Sequence, residues 1–285
     1  MRFIRIGISV LFALSVIFFF YVKLSNNADY NAPVIECKNE VIEVSVKATN
    51  DDLLKFITAT DEKDGDLTDK VIIESVSPFV SNNSAKITYA VCDSDNNVSK
   101  IEKDIVYTDY TPPVFRFKNQ IVSYVGATKV ELLNGVSAYD SLEGDISSRV
   151  IVSESEIDLT LPGIYPVTYK VTTSKGITSE ICVNAYVYAS RLSASIALSD
   201  YLVYTDSNNK INPDLYVEEI PEKYYNTSDA TYKYQYEIID NVDYTKPGIH
   251  YITYRITRTN RRTDTDEPIV IAESYLAVAV RGERQ

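Results

Sequence analysis

The residues with the most evident chemistry are acidic. Asp61, Asp64, Asp66 and Asp69 fall within nine residues, and Asp140, Glu143 and Asp145 take the places of Asp61, Asp64 and Asp66 79 residues later. Ca²⁺ needs six to eight oxygens at about 2.3–2.6 Å, and turns this rich in carboxylate supply several. The spacing is not that of an EF-hand loop. The same residues also suit a tight turn, with Asp accepting from backbone N–H groups and Gly65 or Gly144 at positive φ. Calcium on Asp61, Asp64, Asp66, Asp140, Glu143 and Asp145 therefore stands beside a purely structural turn, which is the simpler reading. No other cofactor is expected.

Tyrosine is the second candidate. Twelve of 23 Tyr lie in residues 190–285, with Tyr232, Tyr234 and Tyr236 at alternate positions and Tyr224 and Tyr225 adjacent. The alternating set shares its strand with Lys233, Gln235 and Glu237, which need water, so its Tyr face is expected to be the core face. Tyr224 and Tyr225, among polar neighbours, are the candidates for an exposed sugar-binding platform. Arg258, Arg261 and Arg262 sit with Arg255 around a turn, either as a solvated loop or as a patch for an acidic partner. His250 is the only His, and Cys37, Cys92 and Cys182 are the only Cys. That leaves little for zinc sites or nucleophile–base catalysis, and no enzymatic activity is expected. A Cys37–Cys92 bridge and three buried thiols are alternatives.

These residues need a frame, and composition bounds it. The chain has 285 residues, 45% hydrophobic, with 28 basic against 40 acidic side chains and a net charge of −12. It has enough apolar material for two or three cores. Its charge argues against binding phosphate backbones or anionic headgroups through the folded part. At the N-terminus, Arg2 and Arg5 precede an apolar run from Ile6 to Val22 and then Lys23. No clean cleavage site follows, so the run is expected to be a single membrane-spanning signal anchor. The positive-inside rule then puts the N-terminus in the cytoplasm and the rest outside. A cleaved signal peptide is the alternative.

Three repeats follow. Pro33 and Pro113 stand in NAPVI and TPPVF, and Ile87–Val91 (ITYAV) matches Val167–Val171 (VTYKV). Pro162–Tyr169 (PGIYPVTY) recurs as Pro247–Tyr254 (PGIHYITY), 85 residues on. The boundaries are 1–30 for the N-terminal stub, helix and linker, then 31–109, 110–189 and a divergent 190–285. Period-2 segments such as KITYAVC, each followed by polar turn residues and a second apolar-alternating segment, predict hairpins. Short, regularly spaced strands in units below 100 residues predict an all-β chain of three tandem Ig-like Greek-key β-sandwiches after the transmembrane helix. Pro112-Pro113 and 189–195 are the expected joints.

The segments Ala59–Thr68, Tyr107–Pro113 and Pro162–Val171 resemble the Ig-like domains of bacterial surface and cell-wall proteins, found also in pesticidal crystal proteins. The resemblance covers the first two repeats and only the Pro247–Tyr254 hairpin of the third. The first repeat lacks the PGxY turn and the third lacks the DGD segment. The resemblance implies a stalk or recognition module, not an enzyme, and no particular ligand. The expected function is thus a membrane-anchored, non-catalytic adhesion or interaction stalk on a bacterial cell surface, its partner a surface protein or a glycan. A glycan- or peptidoglycan-binding module and an accessory subunit of a membrane or secreted enzyme complex are the alternatives.

Overall fold

The computed structural model describes residues 2–25, 31–81, 83–192, 194–220, 231–261 and 267–282. The chain divides into two compact units, 1–109 and 110–285.

Each repeat is built around a hairpin of long antiparallel strands: Ser84–Cys92 with Val98–Tyr107, Gly163–Thr172 with Thr178–Tyr188, and Gly248–Asn260 with Ile269–Arg281. Alternation sets the buried face. Ala85, Ile87, Tyr89 and Val91 point inward at 0–2% exposure, while Lys86 and Cys92 point out. Val167, Tyr169 and Val171 repeat that face, as do Ile252, Tyr254 and Ile256. A strand from earlier in each repeat, Val41–Val44, Val122–Tyr124 or Leu202–Asp206, pairs in parallel with the last strand. Ile72–Val76, Ile151–Ser155 and Tyr232–Asp240 close the other edge, so one four-strand order recurs three times. A smaller sheet completes each repeat, for example Val34–Cys37 with Ile57–Asp61 and Gly65–Asp66.

The second and third repeats share packing. Leu202, Ala277 and Ala279 belong to the core of Phe115, Phe117 and Tyr169, with Tyr201, Tyr204 and Tyr251 packed against it. Tyr186 and Tyr275 stack with ring centroids 3.9 Å apart. The Phe115 N–H donates to Tyr204 Oη at 3.0 Å and the Asn184 N–H to Tyr251 Oη at 2.8 Å. Asp200 pairs with both Arg116 and Lys118. Residues 110–285 therefore form one body with two sandwiches.

The spanning helix expected at the N-terminus is not supported. Residues Arg2–Ser25 are helical, yet no helix among the described residues is long and apolar enough to cross a membrane. Length is the physical reason. The uncharged run 6–22 covers only about 26 Å at about 1.5 Å per residue, against a hydrocarbon core of about 30 Å, and Gly7, Ser9 and Ser15 dilute it.

Candidate functional site

The acidic segments are turns in which Asp61, Asp64, Asp66, Asp140, Glu143 and Asp145 each have a defined partner. Asp61 Oδ1 accepts from the Lys63 and Asp64 N–H groups, and Asp140 Oδ1 accepts from those of Leu142 and Glu143. Asp66 and Asp145 cap Thr68 and Ser147 in the same way, each at 2.9 Å. Asp64 reaches the following hairpin turn, taking the Ser94 N–H at 2.7 Å and its hydroxyl at 2.8 Å. Glu143 does the same with Ser174 and also receives Arg149. These bonds hold the carboxyls of Asp64, Asp66 and Asp145 below their ordinary range. Burial pushes Glu143 up, but its bonds from Arg149 and Ser174 outweigh that and leave it lowered. Gly65 and Gly144 turn the chain at φ +76° and +77°. Among the described residues no group of three or more His, Cys, Asp or Glu is placed to hold a metal ion.

Of the predicted binding residues, the structure describes Arg258 and Arg261. Tyr224, Tyr225 and Arg262 lie outside the described residues. The Arg258 guanidinium sits 4.5 Å from the Tyr232 ring centroid, and Arg261 Nε donates to the Tyr232 carbonyl at 3.0 Å. Both arginines thus brace the start of one edge strand. Tyr234 and Tyr236 pack on the third-repeat core, on the face the alternation assigns to them. His250 Nε2 lies 2.8 Å from the Lys246 carbonyl. All three cysteines are free, with Cys92 and Cys182 exposed. Cys92 faces outward from its sheet, away from the core, and no Cys37–Cys92 bridge is formed. Nor are the three thiols buried, since Cys92 and Cys182 occupy outward positions of their strands.

A concave site lies elsewhere, in the 110–285 unit, as a cleft of about 660 Å³. Three segments build it. Residues 119–129 supply one wall, fixed because the Tyr186 N–H donates to the Ile121 carbonyl and the Val125 N–H to the Tyr188 carbonyl. Residues 188–192 and 194–196 supply the second, where Arg191 donates to Tyr124 Oη at 3.0 Å with its guanidinium 4.8 Å from the ring centroid. Tyr201, Glu273 and Ser274 supply the third. Glu273 is already engaged, accepting from Arg255 Nε and Tyr275 Oη, each at 2.7 Å. Burial and the Glu273 charge push Tyr188 up to about 12. Gln120 Nε2 is buried without a hydrogen-bond partner among the described residues. Sequence reading took 189–195 as a joint and passed over 119–129. The local signals were Ser123, Tyr124 and Thr128 in the first segment and Ser190 and Arg191 in the second.

Residues 118–182 match the family model described as bacterial surface protein, Ig-like domain. The chain is also similar to the pesticidal crystal protein Cry22Aa of Bacillus thuringiensis, 35% identical over 161 residues. That match covers 53% of this chain but only 21% of the relative. Among solved structures, the CBM51-2 and INT domains of Clostridium perfringens ZmpB in complex with GlcNAc align with 54% of this chain and 41% of theirs, at 23% identity and a TM-score of 0.22. The lipoprotein BT2262 of Bacteroides thetaiotaomicron aligns with 57% of this chain and 79% of its own, at 16% identity and a TM-score of 0.24. At TM-scores this low neither superposition bears on function. The second repeat carries a bacterial surface Ig-like domain, as its sequence motifs implied.

Proposed function

We propose that this chain is a non-catalytic interaction protein of the bacterial surface, in which Ig-like domains are the scaffold and the 110–285 unit makes the contacts. The observation that supports this best is one strand order recurring three times in a chain whose second repeat matches a surface-domain family. Sandwiches of this kind leave recognition to loops and clefts held on a rigid frame. Here two sandwiches share a core, so cleft walls from both are held in one geometry.

The apolar segment serves export in this reading. Ile8, Phe12, Ile17 and Phe19 are each more than 60% exposed along the Arg2–Ser25 helix. An apolar helix without protein cover suits lipid or an export channel better than water. Protease treatment of intact source cells, followed by sequencing of the mature N-terminus, tests the placement. Loss of the 31–285 region from intact cells is the expected result. Full protection until the cells are lysed would overturn it.

A further inference from the structure

We propose that this cleft docks the C-terminal end of an extended peptide, which adds a strand to the edge Val122–Tyr124 and sets its terminal carboxylate on Arg191. The proposal rests on the surface-interaction reading and gives it a ligand class and a place.

The edge comes first. Val122–Tyr124 pairs in parallel with Thr178–Tyr188 and stands last in its sheet, with Val122, Ser123 and Tyr124 opposite Tyr186, Val187 and Tyr188. The Ile121 carbonyl accepts from the Tyr186 N–H, and the Val125 N–H donates to the Tyr188 carbonyl. Backbone groups of successive strand residues point to alternate sides. Ile121, Ser123 and Val125 therefore face the neighbouring strand, and Val122 and Tyr124 face away from it. The Ala127 N–H takes the Tyr124 carbonyl at 3.1 Å. The Val122 N–H and carbonyl and the Tyr124 N–H have no partner among the described residues. Val122 is exposed, and all three residues line the cleft. An unpaired edge of this kind is a template for an added strand.

Charge then narrows the ligand. The lining holds three charged side chains, Lys129, Arg191 and Glu273. Glu273 is only 11% exposed, and its two oxygens are taken by Arg255 and Tyr275. Lys129 pairs with Glu131, but both are well exposed, so that pair neutralises little. Arg191 has no acidic partner among the described residues, since both of its contacts are with the uncharged Tyr124. Most of its planar fork of donors is left over, and that fork matches a carboxylate. In a chain of net charge −12 the cleft thus holds an unneutralised cation. One positive charge suits one negative charge, whereas a dianion would bring a surplus into an already acidic molecule.

Edge and cation meet at Tyr124. Beyond it the chain turns away, with Gly126 at φ +85° and the Ala127 N–H folded back onto the Tyr124 carbonyl. A peptide laid parallel to Val122–Tyr124 loses its template at the residue whose hydroxyl holds the guanidinium. A strand that stops there and carries one negative charge at its end is a C-terminus.

The probes are a library of N-acetylated tetrapeptides with free C-termini, the same library amidated, and glucuronate. Saturation-transfer NMR on the full chain picks out the binders, and titration calorimetry ranks them. Saturable binding of free-acid peptides is expected, weakened about tenfold or more by amidation and by Arg191→Gln, because each removes a charge-assisted bidentate contact. Hydrogen exchange across 119–129 is expected to slow when the strongest peptide binds. Arg191 is exposed, and the melting temperature of its variant serves as the folding control. Failure of every free-acid peptide to bind overturns the proposal. So does equal binding of acid and amide, or indifference to Arg191→Gln. Acid-selective binding that leaves exchange in 119–129 unchanged removes the added strand and overturns it too. Glucuronate binding as tightly as the best peptide would make an acidic sugar the occupant instead. The protease experiment on intact cells is independent. A surface-exposed chain that binds no peptide loses only this proposal, and a peptide-binding chain found inside the cell loses only the surface placement.

Discussion

Tyr89, Tyr169 and Tyr254 occupy the same place in the three repeats, fully buried, each donating its hydroxyl to a backbone carbonyl: Leu53, Leu132 and Pro213 respectively. Desolvation raises all three phenols, Tyr89 to about 12. A raised folded value means the protonated phenol is favoured in the native state. That stability is whole below the unfolded value near 10 and is lost as pH climbs towards 12. Melting temperature is therefore expected to fall steeply between pH 10 and 12, and phenolate absorbance to lag behind free tyrosine until unfolding. Tyr169→Phe removes one bond and leaves a buried carbonyl short of a donor, at a cost of about 1–3 kcal/mol. Tyr254→Ala empties the core site and costs about 3–5 kcal/mol. Urea titration checks both. The Thr-Tyr pairs that place these residues were legible in the sequence. Their acceptors were not, because each lies 36 to 41 residues upstream in a segment with no periodicity of its own.

At the scale of elements, the long hairpins were legible because a half-buried strand must alternate, and Lys86 and Thr88 on either side of Ile87 leave no other phase. The five-residue helix Asn50–Leu54 was not legible. It is too short for a periodic signal and is held by a reciprocal cap between Thr49 and Asp52. The acidic turns were found, but their spacing suits metal and backbone ligation equally, and only the positions of Ser94 and Ser174 show where the carboxylates go. With those bonds made, melting temperature is expected to be the same in EDTA and in millimolar Ca²⁺. A rise with calcium would return the turns to metal binding. Gly65→Ala meets no atom within 4 Å, so its cost is conformational alone, about 1–2 kcal/mol for an L-residue at φ +76°. Asp243 caps Thr245 and pairs with Lys246, which holds its carboxyl down at about 2. A depressed carboxyl gives stability that is present above pH 4 and lost towards pH 2, so Asp243→Asn is expected to blunt acid unfolding in that window.

For the whole molecule, the shared core of 110–285 predicts cooperative unfolding of its two sandwiches. Calorimetry of the folded chain should show two transitions, one for 31–109 and one for 110–285, and a third would mean that the second and third repeats melt separately. That fusion left a mark in the sequence. Leu276–Val280 is apolar at every position and buried on both faces, where a sheet with one wet face would alternate. Read only for hairpins, the run gives a strand and not the second domain that covers it. Its pairing has a mechanical consequence. In every repeat an early strand runs parallel to the last one, as Leu202–Asp206 does beside Ile269–Arg281. Tension applied between the two ends of a repeat pulls such strands in opposite directions along their length. The hydrogen bonds between them are then sheared together instead of being unzipped one at a time. A protein so built should hold its fold under tension, with rupture forces in single-molecule pulling well above those of a domain opened strand by strand from its edge.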